Sequence, residues 1–233
     1  MRKCYTRPCN FYYGSYARSL IEKKKALPIA GNSNIAFDQI EIFERKKNRN
    51  TKSSFCSVSK IKSLSKSLLP TIRKDIKQIT LIRKNILGLD LKKPKIMGIL
   101  NVTPDSFSDG GLFFNETKAY KQANLMIANG ATIIDIGGES TRPGSKIVDD
   151  KEEWNRVKNV IVKIKENFPK THISLDTRKS YVMEKGISNG VDIINDVSGL
   201  SFDKKSFQII NSKKKPFILH HMQGTPATMQ KNP

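Results

Sequence analysis

From Lys95 onward the chain alternates short apolar runs with longer stretches whose apolar residues return every three or four positions. Ile96-Met-Gly-Ile-Leu-Asn101 has the pattern of a buried strand, and Thr117 to Ala128 follows with helical spacing before Asn129-Gly130 ends it. Thr132-Ile-Ile-Asp-Ile136 is a second strand, and Asp149 to Phe168 a helix with Trp154, Val157, Val160, Ile161 and Ile164 on one face. His172-Ile-Ser-Leu-Asp176, Asp192-Ile-Ile-Asn195 and Pro216-Phe-Ile-Leu-His220 predict three more strands, separated by helices over Lys179–Ser188 and near Lys204–Asn211. Strand–helix alternation at this period predicts a parallel sheet with right-handed crossovers.

Residues 1–95 have a different texture. Ser and Lys dominate from Lys46 to Ser67, and Ile61, Leu64, Leu68 and then Ile72, Ile76, Ile79 recur at helical spacing. The expectation is a basic, poorly specified extension over 1–94 with one or two amphipathic helices, a remnant of a fused domain being one reading of it. The partial barrel occupies 95–233. Charge sharpens that division. The formal charge of +21 is carried almost entirely by the front, where residues 1–95 hold 23 Lys/Arg against 6 Asp/Glu, whereas 96–233 hold 19 against 15. A nucleic-acid partner is therefore not expected for the protein as a whole. Cys4, Cys9 and Cys56 fit no zinc spacing and are expected as free thiols of a reducing compartment. No apolar run reaches the roughly 18–20 residues of a membrane span. The expected location is the cytoplasm; Arg2, Lys3, Arg7 and Arg18, with no acid among the first 21 residues, leave a mitochondrial transit peptide as the minor alternative.

Polar residues close each predicted strand: Asn101, Asp135, Asp176, Asn195, then His220 and His221. Function at every strand tip, rather than at one crossover, is the signature of a (β/α)8 barrel. Only five strands precede Pro233, so the expectation is a TIM barrel truncated after about the fifth strand, with an unpaired sheet edge that costs stability.

Taken singly, the loops at those tips are ambiguous. Asn101 can coordinate a hard cation such as Mg2+, and the Ser-, Asp- and Gly-rich loop after it can cradle an anion or be an ordinary connection. Gly137-Gly-Glu-Ser-Thr-Arg-Pro-Gly144 offers a hydroxyl and a guanidinium to a phosphate, but it is no Walker or dinucleotide motif. Asp176 and Asn195 suit the edge of a heterocycle with several N–H donors; Asp176 suits a helix cap equally well. His220 and His221 point to opposite faces if extended, so one is expected outside and one at the mouth, with Met222 lining a pocket.

Taken together they carry a resemblance. Ile99-Leu-Asn-Val-Thr-Pro-Asp-Ser-Phe-Ser-Asp-Gly-Gly111, Ile136-Gly-Gly-Glu-Ser-Thr-Arg-Pro-Gly144, Ile173-Ser-Leu-Asp-Thr177, Ile194-Asn-Asp-Val-Ser-Gly199 and His221-Met-Gln-Gly-Thr-Pro-Ala-Thr-Met-Gln230 stand in the order found in dihydropteroate synthases. Residues 95–233 closely resemble that pterin-binding family. The resemblance implies transfer of 4-aminobenzoate onto 6-hydroxymethyl-7,8-dihydropterin diphosphate with release of diphosphate, a step of folate biosynthesis. It implies Mg2+ held at Asn101, diphosphate at Thr141, pterin at Asp176, Asn195 and Met222, and Phe107 and Arg142 in the loops that close over the reaction. The family's later strands, with a further pterin-binding Asp, a Lys and a basic segment, have no counterpart here. The expectation is therefore an inactive fragment unless a separate C-terminal half or a second copy completes it. A pterin-dependent methyltransferase domain and a degenerate, non-catalytic pterin binder are the alternatives.

Overall fold

The computed structural model describes residues 4–45, 51–91, 93–103, 112–140 and 147–222. The chain divides into two units, Met1–Asn85 and Ile86–Pro233.

The front unit corrects the expectation of a poorly specified extension, and its boundary falls at Asn85 rather than 94. Strands β1 (Cys4–Tyr13), β2 (Leu27–Ile29), β3 (Asn32–Arg45) and β4 (Thr51–Ser57) form an antiparallel sheet in which β3 pairs with the other three. Helix α1 (Gly14–Glu22) links β1 to β2, and α2 (Leu69–Thr80) follows a 3-10 turn at Val58–Ser63. Phe37, Ile40 and Ile42 of β3 are fully buried with Cys4, Ile61 and Ile72. The helical spacing of Ile72, Ile76 and Ile79 is realised in α2, whose inner side packs on that core. Glu41 interrupts the apolar run of β3, and the Arg7 guanidinium on β1 donates to it. Cys4, Cys9 and Cys56 are not joined in disulfides.

The back unit has the architecture the pattern predicts. Strands β5 (Ile96–Asn101), β6 (Ala131–Gly137), β7 (His172–Asp176), β8 (Ile193–Asp196) and β9 (Phe217–Leu219) are parallel and lie side by side in sequence order. Helices α3 (Leu112–Ala128), α4 (Asp150–Asn167), α5 (Ser180–Ser188) and α6 (Ser206–Lys213) connect them in turn. A sheet wound in one direction is the wall of a (β/α)8 barrel, not a doubly wound sheet, which would reverse its strand order. Leu100, Ile134, Ile136, Ile173, Leu175 and Ile194 point to the helices and pack on Val157, Val160, Ile161 and Ile164 of α4 and on Val182 and Met183 of α5. Each such side chain contributes about 1.5–3 kcal/mol of burial. The Asp149 carboxylate accepts from the Lys151 N–H and starts α4, with Asp150, Glu152 and Glu153 favouring the helix dipole in the first turn. No helix of the described residues is long and apolar enough to cross a membrane.

Candidate active site

Residues alternate across a strand, so with the isoleucines and leucines turned to the helices, Asn101, Asp135, Gly137, Ser174, Asp176, Ile193 and Asn195 share the other face. Register aligns the last of these into one row: Asn101 pairs with Gly137, Gly137 with Asp176 and Asp176 with Asn195. Gly137 is where the row stays open. A methyl group there would lie 3.5 Å from Asp176 Oδ2 and 3.7 Å from Asn101 Oδ1, so both polar oxygens border the space above that glycine. Asn101, Asp176 and Asn195 are thus brought to one rim. Met222 follows β9 and is half-buried. Phe107, Thr141 and Arg142 lie outside the described residues.

The capping role weighed for Asp176 is excluded. Helix α5 is served instead by Asp203, which accepts from the Ser180 N–H at 2.9 Å, and by Thr177 Oγ1, which accepts from the Lys179 N–H. Asp176 is left facing the site. Burial pushes its carboxyl up from 3.8 to about 7, and the charges of Asp135, Glu153, Asp196 and Glu139 add to the rise. Asp196 is fully buried and is used locally, accepting from the Ser198 N–H and hydroxyl and from the Leu200 N–H. Asp135 Oδ2 accepts from Asn195 Nδ2 at 3.0 Å, while Asp135 Oδ1 is buried with no hydrogen bond. His220 sits at the mouth, its Nε2 2.7 Å from Asn195 Oδ1, and His221 is exposed.

A buried ion cluster went unrecognised in the sequence. Arg178 Nε donates to Glu139 Oε2 at 2.9 Å; Lys179 Nζ donates to Glu139 Oε1 at 3.1 Å, to Glu153 Oε2 at 2.5 Å and to the Val148 carbonyl at 2.5 Å. Glu139 Oε1 also accepts from the Val148 N–H at 3.0 Å. The cluster ties the end of β6 to α4 and to the start of α5. Burial alone would raise Glu139, but hydrogen bonds from Arg178 and Val148 and the charge of Lys179 more than offset it and hold its carboxyl below the usual range. For Glu153 burial prevails and the carboxyl is raised, despite Lys179. The available signal was positional: Glu139 and Arg178-Lys179 each follow adjacent strands of a singly wound sheet.

Among the described residues no group of three or more His, Cys, Asp or Glu could hold a metal ion. Asn101 presents one neutral oxygen beside Asp176, too few donors for a resident ion but suited to touching a hydrated Mg2+ that arrives on a phosphorylated ligand.

Residues 97–233 match the family model described as pterin binding enzyme. The chain is 50% identical over 146 residues to the dihydropteroate synthase of Escherichia coli, covering 63% of this chain and 51% of that one. Its fold resembles that of Xanthomonas albilineans dihydropteroate synthase with 4-aminobenzoic acid (TM-score 0.55, 40% identity, 58% of this chain and 49% of that one). It also resembles the Anaplasma phagocytophilum enzyme with bound 6-hydroxymethylpterin-monophosphate (TM-score 0.53, 40% identity, 59% and 52%). The chain spans about half the length of the curated relatives it matches.

Proposed function

The chain belongs to the pterin-binding enzyme family, and on that basis we propose that it is the pterin-holding part of a dihydropteroate synthase-like transferase. The observation that carries the proposal is the row Asn101–Gly137–Asp176–Asn195, a half-buried carboxyl and a buried carboxamide on adjacent strand ends with an open floor beside them. The relatives' bound 4-aminobenzoic acid and 6-hydroxymethylpterin-monophosphate support the same substrate classes here.

In the proposed reaction, Asp176 and Asn195 hold the aminopyrimidinone edge, Asp176 accepting from ring N–H groups, with Met222 against the ring. Asn101 would touch the hydrated Mg2+ that accompanies the diphosphate, and Thr141 would take a diphosphate oxygen. Phe107 and Arg142 shape the aminobenzoate side. The bond between the pterin 6-methylene carbon and the diphosphate oxygen breaks, the amine nitrogen of aminobenzoate bonds to that carbon, and the amine then loses a proton. Charge grows on the leaving diphosphate in the transition state, so donors and cation aimed at it lower the barrier selectively. The chemistry needs no protein nucleophile.

Calorimetry of the full chain with 6-hydroxymethyl-7,8-dihydropterin diphosphate and Mg2+ tests the reading. Saturable binding is expected, lost in Asp176→Asn and weakened when diphosphate is removed. Equal affinity with and without diphosphate would favour a pterin-dependent methyl-transfer domain instead. The five parallel strands of the described residues leave one side of a heterocycle open to water. We therefore propose negligible turnover for this polypeptide alone and restored turnover with a complementary C-terminal half or a second copy. Clear synthase activity of the purified chain alone would refute that.

A further inference from the structure

The Asn195 carboxamide is 9% exposed and is held at both ends. Its Nδ2 donates to Asp135 Oδ2 at 3.0 Å, and its Oδ1 lies 2.7 Å from His220 Nε2. Asp135 is 5% exposed, and its Oδ2 is the acceptor of that bond, so the amide turns its nitrogen toward β6. The oxygen then faces β9. A carbonyl oxygen cannot donate, so the hydrogen of the second bond resides on His220 Nε2.

The bond between Asp135 and Asn195 crosses a strand. Asp135 is on β6 and Asn195 on β8, two strand spacings or about 10 Å of sheet apart, with Ser174 and Asp176 of β7 between them on the same face. The small, fully buried Ser174 between them leaves the two side chains room to meet. On the other side, Gly199 brings the loop after β8 down onto the end of β9: a methyl group there would stand 2.6 Å from the His220 carbonyl oxygen. That close approach keeps His220 beside Asn195.

We infer that Asp135 and His220 are positioning residues that lock the Asn195 carboxamide in one of its two flip states and thereby fix which ligand edge the site accepts. With both bonds made, Asn195 has one N–H and one oxygen lone pair left for a ligand. An unlocked amide could exchange those two by rotating half a turn and would accept a heterocycle of reversed donor–acceptor order. A locked one rejects it, because a mismatched buried polar pair goes unsatisfied. The ligand class is thus a ring whose edge sets a 2-amino donor beside an N1 acceptor, as a pterin does; the 2-oxo and N1–H groups of a lumazine reverse that order, whereas N3–H and 4-oxo are common to both. This part of the inference rests on the pterin reading; the lock itself does not.

Two measurements on the full chain separate them. Long-range proton–nitrogen NMR at pH 8, above the ordinary imidazole range, should show His220 as the Nε2–H tautomer without any ligand; the signal is assigned by its absence in His220→Gln. An Nδ1–H tautomer overturns the lock, whatever any ligand does. Binding of 6-hydroxymethylpterin and of 6-hydroxymethyllumazine is then compared by fluorescence. His220→Leu is expected to weaken the pterin about fivefold, the loss of one hydrogen bond, and to narrow its margin over the lumazine. His220→Gln, whose amide N–H can reach the same oxygen, should restore both to within about twofold. Leu and Gln variants that behave alike overturn the positioning role. Failure of the unaltered chain to bind the pterin at all would sink the pterin reading, leaving the tautomer to decide the lock.

Discussion

Asp176 shows how much of this chain is decided by single side chains. Its carboxyl, raised to about 7 by burial and then by Asp135, Glu153, Asp196 and Glu139, keeps its proton in the folded state through a range where the unfolded chain has lost it. The folded state then binds more protons at this site, so the contribution of Asp176 to stability is greatest below about pH 4 and declines as pH rises toward 7. Asp176→Asn removes the penalty. Its thermal midpoint should fall less than that of the unaltered chain between pH 5 and 8, with a stability gain at pH 8 on the order of a few kcal/mol; parallel curves would contradict the assignment. Asn101, Asp176 and Asn195 were legible because each ends an apolar run, which fixes both strand and tip. The bond from Asp135 to Asn195 was not legible, because it joins strands that are neither adjacent in sequence nor in the sheet. His220 and His221 could be told apart only once the turn after β9 aimed one ring at Asn195.

Elements of the back unit were read within a few residues, since each strand is a short apolar run, each helix keeps a period near 3.6, and most have a clear stop. What periodicity does not carry is how closely elements approach. Gly138 lets α4 lie against the end of β6: a methyl group there would stand 2.9 Å from the Glu153 backbone oxygen and 3.0 Å from Val157 Cγ1. Gly138→Ala is expected to cost about 1–3 kcal/mol in urea unfolding, and an unchanged midpoint would disprove the contact. Lys179→Met strands Glu139 and Glu153 without their shared cation and is expected to cost about 3–5 kcal/mol, partly recovered by adding Glu153→Gln. In the front unit, Ile35-Ala-Phe37 and Ile40 to Phe43 supplied the apolar residues of β3, although Asp38, Gln39 and Glu41 break any strict alternation. The density of Lys and Ser around it masked that signal, because surface charge says nothing about what the apolar half of a strand buries.

At the scale of the whole chain, separate cores imply separate stabilities. Trp154 is the sole tryptophan and packs on the back core, whereas Phe37, Ile40 and Ile42 centre another in the front unit. In guanidinium, tryptophan emission should therefore follow the back unit alone while ellipticity follows both, and the two midpoints should differ; coincident curves would mean one cooperative molecule. Length and charge gave the division in outline, but not its position, because the residues joining the units have no strong period and their breakers, Gly88 and Pro94, fall beyond Asn85. One consequence is colloidal. Among the described residues β5 and β9 each have a single neighbouring strand, and Ile99 on the inner face and Leu219 on β9 are largely uncovered. Such margins recruit one another in solution. Static light scattering of the purified chain should give a negative second virial coefficient, turning toward zero when a polypeptide that can extend the sheet is supplied in equal amount.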